Sequence, residues 1–484
     1  MSASDRSTIG AWLGDADRSS DWSGVDAVVL GLGVSGFAVA DALLRVGANV
    51  VVVDGSLDSS VAERAQVLDA LGARIERGPA AAPPSATDLL IPSPGLPPTH
   101  PWVTATSAAQ VWSGEQLAWQ LRPLVDPAPW LVVTGTNGKT TTVEMLAAIL
   151  RADGRRAEAV GNVGRPLLDA VFAEPAYDVL AVELSSFQLH WTPRLHVHAS
   201  TLLNVADDHT DWHGSHDNYV KDKAKVFDGV TNAIIYNADD QVTEDLARRA
   251  EVVDGCRGIG FTGSIPDVGM LGVVDGILVD RAFVPDRQTA ATELVPVGEL
   301  TVTGQHNVSN ALAAAALARS VDVSPRNVRD GLRGFRQGDH RLQPVGEVGG
   351  VTYIDDSKAT NVHAADVALA GVDRVVWIAG GLAKGGRFDD LVRRHRHRLV
   401  AAVLLGADRG LIRDSILRHA PEVPIFEVED GETDPMDSAV LLAARIAEPG
   451  DRVLLAPACA SMDQFQDYAA RGVAFRAAVD HLGP

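Results

Sequence analysis

The sequence is poor in cysteine and contains no long apolar run. Its two cysteines, Cys256 and Cys459, are far apart and neither belongs to a CxxC pair, so neither a disulfide framework nor a zinc knuckle is indicated. No apolar stretch reaches the roughly 18 residues that a membrane-spanning helix needs. The N-terminus, rich in Asp and Ser, lacks the basic and apolar regions of a signal peptide. We therefore expect a cytoplasmic protein without membrane insertion.

Positive charge is also scarce. The formal net charge is −21 at pH 7, which argues against nonspecific binding to nucleic acid. Among 42 basic residues the lysines are only Lys139, Lys221, Lys223, Lys225, Lys358 and Lys384. Lysine, unlike arginine, can lose its proton and act chemically. These six lysines are therefore stronger site candidates than lysines usually are.

A chain of 484 residues is too long for one ordinary core, so we expect about two to four domains. Apolar strand patterns alternate with helical patterns, and the conspicuous polar motifs follow the carboxyl ends of strands, where open α/β sheets bind ligands. We predict an α/β fold with three domains that together form one composite cleft. They are a Rossmann-like N-terminal domain (1–121), a central P-loop ATPase-type domain (122–337) and a Rossmann-like C-terminal domain (338–484).

A phosphate-binding loop is the clearest motif. Residues 130–142, WLVVTGTNGKTTT, are an apolar strand running into a turn rich in glycine and threonine. Backbone N–H groups of such a turn point at a polyphosphate, Lys139 adds a point charge, and Thr140 can hold Mg²⁺. Val133 stands where an ordinary Walker loop has its first glycine. The alternative is a glycine-rich turn whose lysine is incidental.

The first block carries a dinucleotide-type fingerprint. G-L-G-V-S-G at 31–36 follows one apolar strand, and a second strand ends at Asp54. A nucleotide diphosphate can bind at the helix N-terminus of such a unit, but the pattern does not say which nucleotide. The proline-dense stretch 79–101 contains a short predicted strand, Leu89–Ile91, that leads to S-P-G at 93–95, and a linker and a ligand loop are equally good interpretations of it.

Polar residues also follow strands of the central block. Glu183 comes directly after an apolar strand, a position that usually supports a nucleotide-bound magnesium. Residues 207–213 gather carboxylates and histidines, for which a polar surface loop is the alternative. Asn307 and Asn310 share the first-turn face of an alanine-rich helix.

Two phosphate-binding blocks and a third polar block indicate a nucleotide-linked substrate, ATP and a small third substrate. Joining an acid to an amine in water is uphill, so an ATP-dependent ligase first converts the carboxylate into an acyl phosphate, which the amine then attacks. The protein mostly positions the reactants, neutralises charge and excludes water.

Seven motifs resemble, in order, those of the Mur ligases of peptidoglycan synthesis. They are T-G-T-N-G-K-T-T (134–141), G-N-V-G (161–164), E-L-S-S-F-Q-L (183–189), N-V-A-D-D-H (204–209), H-N-V-S-N-A-L-A-A (306–314), D-S-K-A-T-N (356–361) and A-P-A-C-A-S (456–461). D-S-K-A-T-N and the first-block glycines are similar to the branch that adds D-glutamate. The resemblance implies an ATP-dependent amide ligase that joins D-glutamate to UDP-N-acetylmuramoyl-L-alanine (UDP-MurNAc-L-Ala) through an acyl phosphate, acting as a monomer.

The resemblance also implies substrate contacts. The UDP-linked substrate would bind Gly31, Gly33, Val34, Ser35, Gly36, Asp54, Ser93, Pro94, Gly95, Asn162 and Ser185. ATP would bind Gly135, Thr136, Asn137, Gly138, Lys139, Thr140, Thr141, Asn307, Asn310, Arg341 and Asp356. D-Glutamate would bind Thr360, Lys384, Ser461 and Tyr468.

The catalytic residues implied by the resemblance are Lys139, Glu183, His209 and Lys223. Two Mg²⁺ ions would be held by Thr140, Glu183, His209 and a carbamate on Lys223. In the family the carbamylated lysine lies four residues after a tyrosine, and Tyr219 fits Lys223 rather than Lys225.

Three other functions fit parts of the sequence. A nicotinamide dehydrogenase would use the glycine fingerprint and Asp54 but would leave the phosphate loop and Glu183 without a role, and it would bind NAD(P). A folylpolyglutamate-type ligase shares the central block but lacks the first-block glycine pattern. A non-catalytic regulator would bind ATP without consuming it.

Overall fold

The computed structural model describes residues 3–193, 195–302, 304–429 and 431–483. Within them the strands form three sheets, and the chain divides into two compact units. The first unit comprises Met1–Val205 and Asp217–Phe335, and the second comprises Ala206–His216 and Arg336–Pro484. None of the described helices is both long and apolar enough to cross a membrane.

The first sheet is parallel throughout. Its strands are β1 (Asp26–Leu30), β2 (Asn49–Asp54), β3 (Arg74–Arg77), β4 (Ala86–Pro92) and β5 (Ser107–Val111). The helices of this region are α1 (Ala3–Asp15), α2 (Val34–Arg45), α3 (Ser59–Ala70), α4 (Pro101–Ala105) and α5 (Gly114–Gln120). The spatial order is β3-β2-β1-β4-β5. Because β4 is a buried central strand paired with β1, the linker interpretation of residues 79–101 is wrong.

The second sheet has nine strands. They are β6 (Trp130–Thr134), β7 (Ala157–Gly161), β8 (Val179–Glu183), β9 (Ala199–Leu202), β10 (Ala233–Asn237), β11 (Arg257–Phe261), β12 (Met270–Val274), β13 (Ile277–Asp280) and β14 (Thr292–Pro296). The order is β14-β13-β12-β11-β10-β9-β6-β8-β7, and only the pairings made by β13 are antiparallel. Strands β6, β8 and β9 are neighbours, so their carboxyl ends lie at one edge of the sheet.

Eight helices follow in this part of the described chain. They are α6 (Lys139–Ala152), α7 (Leu167–Val171), α8 (Ser186–His190), α9 (Thr210–His213), α10 (His216–Ala224), α11 (Gln241–Arg249), α12 (Gln305–Arg319) and α13 (Pro325–Gly334). Two 3₁₀ turns, Lys225–Phe227 and Val297–Glu299, complete it. Residues 311–318 of α12 are all Ala or Leu and wholly buried, so this helix lies in the core of the first unit.

The third sheet belongs to the second unit. Its strands are β15 (Gln343–Val348), β16 (Val351–Asp355), β17 (Val375–Gly380), β18 (Leu399–Leu405), β19 (Ile425–Glu427) and β20 (Arg452–Leu455). Its helices are α14 (Val362–Ala370), α15 (Asp389–His395), α16 (Arg409–His419), α17 (Pro435–Ile446) and α18 (Tyr468–Asp480). The order is β15-β16-β20-β17-β18-β19, with β15 antiparallel to β16.

The predicted α/β class is confirmed by these mostly parallel sheets. They extend over residues 26–111, 130–296 and 343–455. The exact domain boundaries, after residues 121 and 337, stay predictions.

The packing of α13 on α6 leads to a stability prediction. A Cβ on Gly331 would lie 2.4 Å from Cα of Ile149, so Gly331→Ala must push the two helices apart. Such overpacking typically destabilises by about 1–3 kcal/mol, and we expect the melting temperature to fall by several degrees in a circular dichroism scan. Gly334→Ala, in the same helix with open space around it, is the matched control and should leave the melting temperature nearly unchanged. Equal melting temperatures for the two variants would contradict the observed helix contact.

Candidate active site

The phosphate loop lies between β6 and α6 and depends on a glycine. Gly138 has φ = 84°, a conformation that L side chains rarely adopt, and it is the N-cap of α6. A Cβ here would lie 2.4 Å from Oδ1 of Asn310, so this asparagine lies directly against the loop. Asn310 also donates to Oδ1 of Asn307 at 3.2 Å. The N-terminus of α6 therefore lies next to both asparagines.

Asn204, which follows β9, forms hydrogen bonds to the middle of the phosphate loop. Its Oδ1 accepts from the backbone N–H of Asn137 at 2.9 Å, and its Nδ2 donates to the carbonyl oxygen of Asn137 at 3.1 Å. Its own carbonyl oxygen accepts from the N–H of Thr136 at 3.0 Å. Asn204 belongs to the N-V-A-D-D-H motif, which by itself predicted no role for this side chain.

Two lysines converge on the carbonyl oxygen of Gly135. Nζ of Lys139 donates to it at 2.9 Å, and Nζ of Lys223 donates to it at 2.7 Å. Lys223 is only 1% exposed, and its Nζ lies 4.8 Å from the ring centre of Tyr219. The hydroxyls of Tyr219 and Thr136 are 2.8 Å apart, so α10 contacts the phosphate loop through two side chains.

Lys225 lies in a different environment. Its Nζ donates to the carbonyl oxygen of His190 at 2.8 Å and forms an ion pair with Asp222 at 3.0 Å. Of the two lysines that the sequence compared, Lys223 is therefore the one bonded to the phosphate loop.

Glu183 ends β8 and is paired in register with Val133 of β6. Its side chain is buried, and Oε1 accepts from Nδ2 of Asn162 at 2.8 Å. Oε2 is buried too and has no hydrogen-bond partner in the described part of the chain. A bound cation would supply that partner, and carboxylate and hydroxyl oxygens suit Mg²⁺. Glu183 and the buried Thr140, on the first turn of α6, therefore fit a magnesium site.

The glycine loop after β1 is closely packed. Gly31 has φ = 92°, and a Cβ on it would lie 2.9 Å from Cβ of Ser93. A Cβ on Gly36 would lie 2.0 Å from the carbonyl oxygen of Gly31. Oδ2 of Asp54 accepts from the N–H of Leu32 at 2.6 Å, and Oδ1 accepts from a second backbone N–H. Asp54 therefore shapes the loop that α2 follows.

Two adjacent carboxylates end β16 in the second unit. Asp355 is wholly buried, with Oδ2 2.6 Å from Nδ1 of His340. Asp356 accepts from the N–H of Leu342 at 3.1 Å. Burial raises the pKa of Asp356 to about 7; the Leu342 hydrogen bond and Arg341 oppose this shift, and Asp355 adds to it.

Arg471 of α18 is a buried residue for which the sequence predicted no role. Its guanidinium donates to Oγ of Ser357 at 3.0 Å, to the Ser357 carbonyl at 2.8 Å and to the Cys459 carbonyl at 3.1 Å. Burial lowers the pKa of Arg471 to about 10. The guanidinium thus joins the loops that follow β16 and β20. Nearby, Nζ of Lys358 lies 3.7 Å from the ring centre of Tyr468.

The residues predicted to bind D-glutamate lie on adjoining loops. Leu382 and Ala460 exchange two backbone hydrogen bonds of 2.9 Å, which joins the loop carrying Lys384 to the loop carrying Ser461. The N–H of Ala458 donates to Ala359, next to Thr360, at 2.9 Å. All of these residues belong to the second unit.

His209 also belongs to the second unit. Its Nε2 is 3.6 Å from Oδ2 of Asp208, which accepts from Nδ2 of Asn361 at 3.2 Å. The segment 206–216 is thereby tied to the D-S-K-A-T-N loop.

Within the first unit, therefore, the phosphate loop, both helix asparagines and Lys223 are brought together. Asn162 and Ser185 flank Glu183, at the end of the strand next to β6. Arg341, Asp356 and the residues for D-glutamate lie in the second unit. Asn204 and Tyr219 belonged to motifs from which their contacts could have been expected, whereas Arg471 carried no such signal.

Comparison with known proteins identifies the family to which this chain belongs. The model of the Mur ligase middle domain matches residues 133–318, and that of the Mur ligase, glutamate ligase domain matches residues 340–459. The chain is 53% identical over 466 residues to a UDP-N-acetylmuramoylalanine–D-glutamate ligase of Streptomyces avermitilis, covering 96% of this chain and 100% of that one. For the enzyme of the same name from Thermobifida fusca the identity is 50% over 451 residues, covering 92% and 96%.

A solved structure agrees at the level of the fold. The UDP-N-acetylmuramate–alanine ligase from Thermotoga maritima matches with a TM-score of 0.57 at 18% identity, covering 95% of this chain and 99% of that one. Together with the sequence matches over almost the whole chain, this confirms the family that the ordered motifs predict: the protein belongs to the Mur ligases, in the branch of the UDP-N-acetylmuramoylalanine–D-glutamate ligases.

Proposed function

We propose that this protein joins D-glutamate to UDP-MurNAc-L-Ala in an ATP-dependent reaction of peptidoglycan precursor biosynthesis. The names of its relatives at 50–53% identity support this activity. The observation that carries the proposal is the phosphate loop, with two lysines on one carbonyl oxygen and a buried carboxylate at the end of the next strand. A dehydrogenase would leave all of these groups without a role.

The reaction has two steps. An oxygen of the substrate carboxylate attacks the γ-phosphorus of ATP, which gives an acyl phosphate and ADP. The deprotonated amine of D-glutamate then attacks the acyl carbon, the amide bond forms and inorganic phosphate leaves. The N–H groups of the loop and Lys139 offset the charge of the transferring phosphoryl group, which is the main contribution of such sites.

Two Mg²⁺ ions complete the proposal, with Thr140 and Glu183 for one and His209 with carbamylated Lys223 for the other. When bound, they would neutralise phosphate charge. A carbamate forms when the neutral amine adds CO₂ and loses a proton, and one N–H remains to donate to Gly135. The change replaces one of two neighbouring ammonium groups by an anion, which removes their repulsion.

The remaining assignments follow the family. Asn307, Asn310, Arg341 and Asp356 would complete the ATP contacts, and Thr360, Lys384, Ser461 and Tyr468 would hold D-glutamate. The glycine loop, Asp54, residues 93–95, Asn162 and Ser185 would bind the UDP-linked substrate. We retain the domain boundaries after residues 121 and 337, and we expect a cytoplasmic monomer.

Substrate choice tests the activity directly. Phosphate release should require UDP-MurNAc-L-Ala, ATP, Mg²⁺ and D-glutamate together, with L-glutamate and D-alanine poor replacements. NADH titrated by fluorescence should show no saturable binding. Equal turnover of L-glutamate, or release with a folate in place of the UDP-linked substrate, would refute the proposal.

Lys223 offers a second test. Lys223→Ala should be nearly inactive, because it removes both the bond to Gly135 and the proposed carbamate, and added acetate or formate should restore part of the phosphate release. Lys225→Ala is the matched control, since Lys225 pairs with Asp222 instead; it should keep most activity and show no rescue. If only Lys225→Ala were rescued, the carbamate would belong to Lys225 and the assignment to Lys223 would be wrong. If neither variant were rescued, the carbamate would lose its support.

Asp356 predicts a pH dependence of stability. Its pKa is raised in the folded protein, from 3.8 to about 7, so the folded state holds an extra proton between these values and the free energy of unfolding falls as pH rises through them. Asparagine does not titrate, so Asp356→Asn removes this loss. The stability of the variant relative to the unsubstituted protein should therefore be greater at pH 8 than at pH 5 by on the order of 3 kcal/mol. Thermal scans at both pH values measure the difference.

The matched control for Asp356 is Glu347→Gln, which neutralises an exposed carboxylate on the same sheet. Its stability difference from the unsubstituted protein should be the same at both pH values. A pH-independent difference for Asp356→Asn would contradict the raised pKa.

A further inference from the structure

A buried carboxyl group in the first unit has no part in the chemistry above. Glu115 lies in the first turn of α5 and is only 7% exposed. The residue lines a small cleft together with Ser35 and Gly36 of the glycine loop and with Ser93. These are residues proposed to bind the UDP-linked substrate, so Glu115 borders the same cleft.

The two oxygens of Glu115 differ in their surroundings. Oε1 accepts a hydrogen bond from Nε2 of Gln188 at 2.7 Å. Oε2 is buried, and none of the described residues is its hydrogen-bond partner. Burial raises the pKa of Glu115, and the hydrogen bond from Gln188 opposes this shift. A residue that borders the cleft thus has one buried carboxyl oxygen, Oε2, for which the described residues provide no hydrogen bond, although buried polar groups are normally paired.

Gln188 extends this contact to the turn after β8. Its Oε1 accepts from the N–H of Ser185 at 2.7 Å and from Oγ of Ser185 at 2.9 Å. Its own N–H donates to Oγ of Ser185 at 3.2 Å, which completes a capping box. Ser185 comes two residues after Glu183. Hydrogen bonds through Gln188 therefore link Glu115 to Ser185, in the turn that follows β8.

The contact between α5 and α8 does not depend on Glu115 for cohesion. Oγ of Ser113 and Oγ1 of Thr192 are 2.7 Å apart, and Thr192 also donates to the Gln188 carbonyl at 2.7 Å. The N–H of Ser113 donates to Trp191 at 2.8 Å. An apolar side chain at position 115 would be easier to bury than a carboxyl group. The carboxyl group therefore indicates a role toward a ligand.

We infer that Glu115 contacts and positions the UDP-linked substrate: Oε2 forms a hydrogen bond with the sugar nucleotide in the cleft, and Oε1 acts through Gln188 to set the Ser185 turn. This inference rests on the proposed function and adds a residue to it. The bound substrate would supply the missing hydrogen-bond partner of Glu115. The Glu115 side chain would in turn align the substrate with the end of β8, which carries Glu183.

The test compares two variants of the full-length protein. Glu115→Met keeps the side-chain volume but removes both oxygens, and it should raise the KM for UDP-MurNAc-L-Ala about tenfold or more while leaving the KM for ATP unchanged. Glu115→Gln can still accept from Gln188 and donate into the cleft, so its KM should stay within about threefold of the original. Isothermal titration with UDP-MurNAc-L-Ala, without ATP, should give the same ratios as dissociation constants.

Thr192→Val is the control for a merely structural role. It removes hydrogen bonds from the same contact without touching Glu115, so it should lower the melting temperature and leave the KM unchanged. An unchanged KM in Glu115→Met, or an equal rise in Glu115→Met and Thr192→Val, would overturn the inference and leave the proposed activity standing. Absence of D-glutamate-dependent phosphate release in the unsubstituted protein would refute the activity instead, and the titrations would still measure the role of Glu115.

Discussion

The carbonyl oxygen of Gly135 is the point around which the phosphate loop is organised. The ammonium groups of Lys139 and Lys223 both donate to it, and one of them comes from a helix distant in the chain. Two cations at one oxygen repel each other strongly where water screens them little, as around the buried Lys223. The proposed polyphosphate on the loop would relieve this repulsion, and so would the proposed carbamate on Lys223.

Close packing against a glycine recurs in the phosphate loop and in the glycine loop after β1. Gly138 leaves room for Asn310, and Gly36 leaves room for the carbonyl oxygen of Gly31, where a Cβ would meet another atom at 2.4 and 2.0 Å. A side chain at position 138 would collide with Asn310 of α12, and one at position 36 would collide with the backbone of Gly31. The glycines are thus required by packing within the protein before any ligand is considered.

The alternation of strands with polar motifs was enough to predict the α/β class and to place Glu183 beside the phosphate loop, because the carboxyl ends of neighbouring parallel strands meet at one edge. The contacts of Arg471 were not predictable in this way, because Arg471 belongs to none of the motifs and bonds to Ser357, 114 positions away. Residues 79–101 could also be interpreted as a linker because proline disfavours strands. In the structure the only proline of β4 is Pro92, its last residue, so the sheet loses little.

Burial shifts two groups of the second unit toward their neutral forms, but their surroundings differ. Arg471 makes three hydrogen bonds to the protein, which offset the loss of its hydration. Asp356 accepts one backbone hydrogen bond, so its charged form is less well stabilised and its pKa lies at about 7. A ligand that brought donors or a cation to Asp356 would favour the carboxylate and release its proton. Binding at this carboxylate and proton release near neutral pH are therefore thermodynamically linked.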